Sequence, residues 1–152
     1  MRNPRRLRVY LDSNVFIFGK ERPESNSRTI LDLAGEGKII PVVSYLTLEE
    51  LREYFSRRYS RETAINEVYY LISLPRLEIV PRDKVKQKIA RYRRVVPDKD
   101  LPHLVSAIIA EVDYFVTYNR HFIDSRAKDH VEVVTQADFV KLLGIEPQPT
   151  SY

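Results

Sequence analysis

The chain contains no cysteine, one methionine and only four glycines. Without cysteine there are no disulfides and no thiolate metal sites, and the composition fits an intracellular, cytoplasmic protein. Nowhere does an apolar run approach the roughly 20 residues of a membrane span, so no membrane association is expected. Internal repeats and low-complexity segments are also lacking. There is no HxxxH and no histidine–carboxylate spacing that argues for zinc. The chain opens on the basic stretch Arg2–Arg8, but a strand-like segment follows it, which does not fit a signal peptide.

What the chain does carry is charge. Lysine and arginine number 25 against 21 acids, a net charge of +4. A basic surface attracts polyanions, nucleic acid among them. Basic residues cluster at Arg2, Arg5, Arg6 and Arg8, at Arg57, Arg58 and Arg61, and from Lys84 to Arg94. Each cluster can equally be a solvated face. The 152 residues suffice for one domain with a real core and are too few for two. A single domain over residues 1–146 is expected, with Pro147–Tyr152 as a loose tail.

Strand-like and helix-like segments alternate. Leu7–Leu11, Ile39–Val43, Leu77–Val80, Tyr114–Thr117 and Val131–Val134 read as strands. Lys20–Ser27 is expected to be a loop, and Arg28–Glu36 a helix stopped by Gly37. Ser44 can cap a helix with Leu48, Leu51, Phe55 and Tyr59 on one face. Further helices are expected over Arg61–Ser73 and Asp83–Val95, the latter broken by Pro97. Asp100 is expected to cap a helix bearing Leu101, Leu104, Val105, Ile108 and Val112. A last helix, Gln136–Leu143, stops at Gly144. This alternation predicts an α/β fold, a three-layer sandwich with a parallel sheet of about five strands.

Strand C-termini in such a sheet converge on one edge, where sites are built. Asp12 closes the first strand, Glu50 lies on the helix after the second, and Asp100 opens the helix leading into Tyr114–Thr117. Carboxylates brought together repel unless a proton or cation intervenes. A hard divalent cation with oxygen ligands, Mg²⁺ or Mn²⁺, resolves that conflict. Each acid also has a plainer reading. Asp12 can end a strand in an Asx turn, Asp100 can be only an N-cap, and Glu49 and Asp98 are the neighbouring alternatives. His103 reads as a packing or hydrogen-bonding residue, and His121 and His130 as loop residues.

Four motifs occur in order: Val9-Tyr10-Leu11-Asp12-Ser13-Asn14-Val15-Phe16-Ile17; Val43-Ser44 with Leu48-Glu49-Glu50-Leu51; Asp98-Lys99-Asp100-Leu101-Pro102-His103-Leu104; and Asp113-Tyr114-Phe115-Val116-Thr117-Tyr118-Asn119-Arg120-His121-Phe122. In this order they resemble the PIN domain, the metal-dependent ribonuclease fold of VapC-type toxins and related RNA-processing nucleases. The resemblance implies strand order 3-2-1-4-5, all parallel. It places the family's acids on Asp12, Glu50 and Asp100, as ligands of Mg²⁺ or Mn²⁺, and its fourth position on Asn119. That position is often Asp, and asparagine keeps an oxygen acceptor without the charge. Ser13, Asn14 and Thr117 are supporting candidates.

The implied function is RNA phosphodiester hydrolysis, as the toxin of a toxin–antitoxin pair or as an RNA-processing or RNA-binding PIN protein without an antitoxin. RNA, a cognate antitoxin and a second copy of the chain, in a homodimer, are the implied partners. A receiver-type phosphoacceptor is the rival from another class. It requires an acidic pair after the first strand and a lysine after a late one, and neither is present.

Overall fold

The computed structural model describes residues 5–149. Arg2 of the first basic cluster and residues 150–152 of the expected tail lie outside the described residues.

Five strands form one sheet: β1 (Arg8–Leu11), β2 (Ile40–Ser44), β3 (Glu78–Val80), β4 (Tyr114–Val116) and β5 (Val133–Val134). All pair in parallel, in the order β3-β2-β1-β4-β5. Parallel neighbours need crossovers, and helices supply them on both faces. β1 is central, and its Val9, Tyr10 and Leu11 are wholly buried. Side chains alternate across a strand, so Val9 and Leu11 enter one core while Tyr10 enters the other.

The helices are α1 (Ser13–Glu21), α2 (Asn26–Gly35), α3 (Tyr45–Arg58), α4 (Arg61–Ile72), α5 (Arg82–Lys88), α6 (Leu101–Ile109), α7 (Arg120–Ile123) and α8 (Gln136–Leu142). None of the described helices is long and apolar enough to cross a membrane. Ser44 caps α3 as expected, accepting from Leu46 N at 3.2 Å while its own N–H donates to Thr47 Oγ1 at 3.2 Å. Gly37 and Gly144 close α2 and α8 with φ of 71° and 77°. Lys38 N reaches back to Leu33 O, and Ile145 N to Val140 O, which is how a glycine stop satisfies the last carbonyls.

Several segments differ from the sequence-based expectation: α2 already starts at Asn26, inside the expected loop Lys20–Ser27. The sequence predicts no helix between β1 and the loop at Lys20, yet Ser13–Glu21 is helical. Its β-branched and aromatic run, Val15 to Phe18, is a weak helix former, and packing of Val15 and Phe16 into the core overrides that preference. The basic segment 83–95 is not one helix. α5 ends at Lys88, and a 3₁₀ turn, Ile89–Tyr92, follows. Val85 is the one residue of α5 that is buried, so little apolar contact sustains a longer helix.

Past α8, Gln148 N donates to Asn26 Oδ1 at 2.7 Å, and Asn26 Nδ2 donates to Gln148 O at 3.1 Å. These bonds fasten the chain back onto the start of α2.

Candidate active site

Asp12 follows β1 and caps α1, its Oδ1 accepting from Ser13 N at 2.8 Å. Oδ2 accepts from Thr117 Oγ1 at 2.7 Å and from Asn14 Nδ2 at 3.3 Å. The residue is only 5% exposed. Burial pushes its carboxyl above the ordinary value, against the pull of His103 and these hydrogen bonds.

Thr117, just past β4, ties this corner together. Besides donating to Asp12, its hydroxyl accepts from Asn119 N at 2.8 Å and Asn14 Nδ2 at 3.2 Å. Asn14 is itself held by Gln136, whose Nε2 donates to Asn14 Oδ1 at 2.9 Å. Thr117→Val would strand these buried partners and should cost about 1–3 kcal/mol of stability. Urea unfolding of the two proteins measures it, and an unchanged midpoint would show that the corner does not depend on the hydroxyl.

Glu50 lies on the second turn of α3, at a height set by the Ser44 cap. Its Oε1 accepts from Ser13 Oγ at 2.7 Å and meets His103 Nε2 at 2.5 Å. Burial would raise this carboxyl, but the hydrogen bond and charge of His103, together with Ser13, hold it below the ordinary value. Glu49 points elsewhere, exposed and paired with Arg82 at 2.5 Å.

Asp100 stands at the N-cap position of α6, but its carboxylate makes no capping hydrogen bond. This corrects the expected cap. A cap side chain accepts from the second or third helical N–H. Pro102 occupies the second position and has no N–H, while His103 N is taken by Asp100 O at 3.1 Å. The carboxylate turns instead to Asn119 Nδ2, 3.3 Å from Oδ1, and to His121 Nδ1, 2.7 Å from Oδ2. Asp98 is exposed, whereas Asp100 is buried. Asn119 caps α7, its Oδ1 accepting from His121 N at 2.9 Å, and so serves both the turn and Asp100.

Asp12, Glu50 and His103 place ligand atoms within 4.8 Å of one another. Asp100 lies outside that group and is linked to it through the bonded series Asp12–Thr117–Asn119–Asp100. Carboxylate oxygens predominate, which suits Mg²⁺ or Mn²⁺. A buried Asp12 that burial holds above its ordinary value is also what a cation would relieve. The residues therefore fit the implied metal.

A family model of the PIN domain matches residues 8–121. The chain belongs to the PIN domain family. No curated protein matches its sequence. Among solved structures, this PIN domain resembles VapBC2 from Rickettsia felis bound to a DNA fragment from their promoter, at 18% identity and a TM-score of 0.65, over 85% of this chain and 98% of that one. It also resembles VapBC-1 from nontypeable Haemophilus influenzae, at 17% identity and a TM-score of 0.61, over 86% and 98%. FitAcB from Neisseria gonorrhoeae is similar at 23% identity and a TM-score of 0.61, over 84% and 97%. Likeness at these identities concerns the fold.

Two residues of this PIN domain's site escaped the sequence reading. His103 is 1% exposed and abuts Glu50. Burial disfavours its charged form, but Tyr10, Asp12 and Glu50 outweigh that and raise its pKa well above the ordinary histidine value. His121, expected to be a loop residue, sits in α7 against Asp100. A histidine three residues after Asp100, one turn along the same helix, was the available signal for His103.

Proposed function

We propose that this PIN domain is a metal-dependent endoribonuclease and the toxin of a toxin–antitoxin pair. The observation that carries the nuclease assignment is the meeting of buried Asp12 with half-exposed Glu50 beyond the ends of β1 and β2, with Asp100 linked through Asn119. A bound Mg²⁺ or Mn²⁺ would supply Lewis-acid charge at the phosphoryl oxygens and make water more acidic. Asp12, Glu50 and Asp100 would hold that cation. Glu50 Oε2, which takes no hydrogen bond among the described residues, orients the attacking water. Asn119 offers a hydrogen bond on the phosphate side. Ser13, Asn14 and Thr117 fix the carboxylates so that they need not reorganise as charge develops.

An acidic centre repels RNA unless positive charge borders it. A cleft of about 430 Å³, lined by Glu50, Glu53, Tyr54, Arg57 and Arg58, opens beside Glu50, and its two arginines, paired with Glu53 and Glu21, are the candidates for that border. A homodimer belongs to the same proposal, supported by Ile65, Tyr69 and Ile72 of α4, which are 57%, 69% and 49% exposed. The toxin role is supported by the likeness to VapBC structures. A small reading frame beside this one, encoding a protein that co-purifies with it and blocks cleavage, is the expected finding. Without such a partner, an antitoxin-independent RNA-processing role takes its place.

Defined RNAs incubated with the protein should be cut internally in Mg²⁺ or Mn²⁺ and left intact in EDTA. Binding should weaken steeply with salt, because phosphate contacts release counterions. RNA that stays intact in both metals at low salt would refute the nuclease assignment.

A further inference from the structure

His103 lies on the buried face of α6, beside Leu104 and Ala107, where an aliphatic side chain would be the ordinary occupant. A polar group there costs free energy unless its hydrogen bonds are made. They are made, and by a connected set. Ser44 Oγ, at the end of β2, lies 3.0 Å from Tyr10 OH on β1. Tyr10 OH lies 2.6 Å from His103 Nδ1. His103 Nε2 lies 2.5 Å from Glu50 Oε1 and 3.7 Å from Asp12 Oδ1. With two carboxylate oxygens facing it, Nε2 must carry its hydrogen and donate, because a lone pair there would be repelled.

We propose that His103 is a positioning residue, which orients Glu50 toward the cation. This rests on Glu50 being a cation-facing or water-facing carboxylate. Glutamate has three side-chain torsions, and an unrestrained one spreads its oxygens over several positions. Here Oε1 is fixed from two sides, by Ser13 Oγ and by His103 Nε2, so Oε2 is the oxygen left for the metal or water. The imidazole is in turn buried and bonded at both nitrogens. Tyr10 sets its Nδ1 side and is stacked on Phe115 at 4.9 Å with planes 23° apart. A histidine needed only for packing would not end its hydrogen-bond chain on a half-exposed carboxylate. Groups that orient metal ligands in this way are typically worth about 10–100-fold in metal affinity.

The test is a double-mutant cycle read by calorimetric Mn²⁺ binding, which needs no RNA. His103→Leu should weaken Mn²⁺ binding by about 10–100-fold. His103→Gln, whose amide N–H can still reach Glu50, should recover most of that loss. In a Glu50→Gln background, His103→Leu should have little further effect, because its target carboxylate is gone. If His103→Leu does not fold by circular dichroism, Tyr10→Phe carries the same comparison, with a smaller loss expected. Additive effects of the two substitutions would overturn the proposal, as would equal losses in His103→Leu and His103→Gln. Direct nitrogen coupling to bound Mn²⁺ that disappears in His103→Gln would also overturn it, since His103 would then be a ligand. Wild-type protein that binds no Mn²⁺ would overturn the metal assignment along with it, whereas Mn²⁺ binding with additive variants would overturn this proposal alone.

Discussion

Asp12→Asn should lower RNA cleavage by about a thousandfold or more, since one preorganised electrostatic group alone is worth about 10²–10³ in rate and this one also holds the cation. The fold should survive, because asparagine can still accept from Ser13 N and cap α1. Stability of the metal-free variant should stay within about 1 kcal/mol of wild type, where lost hydrogen bonds and relieved charge oppose each other. The pH dependence gives the sharper reading. Burial raises the Asp12 carboxyl in the folded state, so ionised Asp12 destabilises the fold above the ordinary carboxyl range. As pH falls through the raised value, Asp12 protonates and the penalty disappears. The stability of the variant relative to wild type should therefore decline from pH 7 toward pH 4. Added Mn²⁺ should raise the melting temperature of wild type and leave the variant nearly unmoved. A loss of several kcal/mol at pH 7 without metal would mean that Asp12 is chiefly a structural cap.

Asn119→Asp should move two quantities in opposite directions. Asn119 Nδ2 donates to Asp100 Oδ1 at 3.3 Å. A carboxylate in its place removes that donor and sets two like charges side by side. Without metal the variant should lose about 1–3 kcal/mol of stability. With metal it should bind divalent cations more tightly, by about tenfold, because ligand charge sets affinity for hard cations. The cap on α7 should persist, since aspartate accepts from His121 N as asparagine does. Melting temperature followed against Mn²⁺ concentration reads both effects, and the two curves should cross as metal rises. Superimposable curves would confine Asn119 to its turn.

The strand order came from the resemblance of the four motifs to the PIN family, whereas the alternation of short apolar runs with helices made a parallel sheet legible in the sequence. Val9 to Leu11 and Val42 to Ser44 declare themselves in this way. α1 was not legible. Its residues favour strand locally, and only burial of Val15 and Phe16 against the sheet makes it helical. The fraying of 83–95 was hidden for the converse reason, since a basic, helix-favouring sequence finds too little apolar surface to pack.

At the site, the placing of Asp12 and Asp100 near strand ends was legible in the sequence, and the choice of Glu50 over Glu49 came mostly from the resemblance. The contacts of His103 were not legible, because Tyr10 and Glu50 lie far from it in sequence and meet it only through the sheet. That the Asp100 carboxylate makes no capping bond was half legible. Pro102 after it is a helix-start signal, and the same proline deprives the cap of its N–H.

Asp12, Glu50 and Asp100 are proposed to hold one cation-binding centre. Anomalous scattering from a crystal containing Mn²⁺ tests it most directly. A peak should lie between the three carboxyl groups, about 2.0–2.6 Å from those that bind directly and farther from any that bind through water. A peak elsewhere, or one from which Asp12 or Asp100 turns away into solvent, would contradict the account.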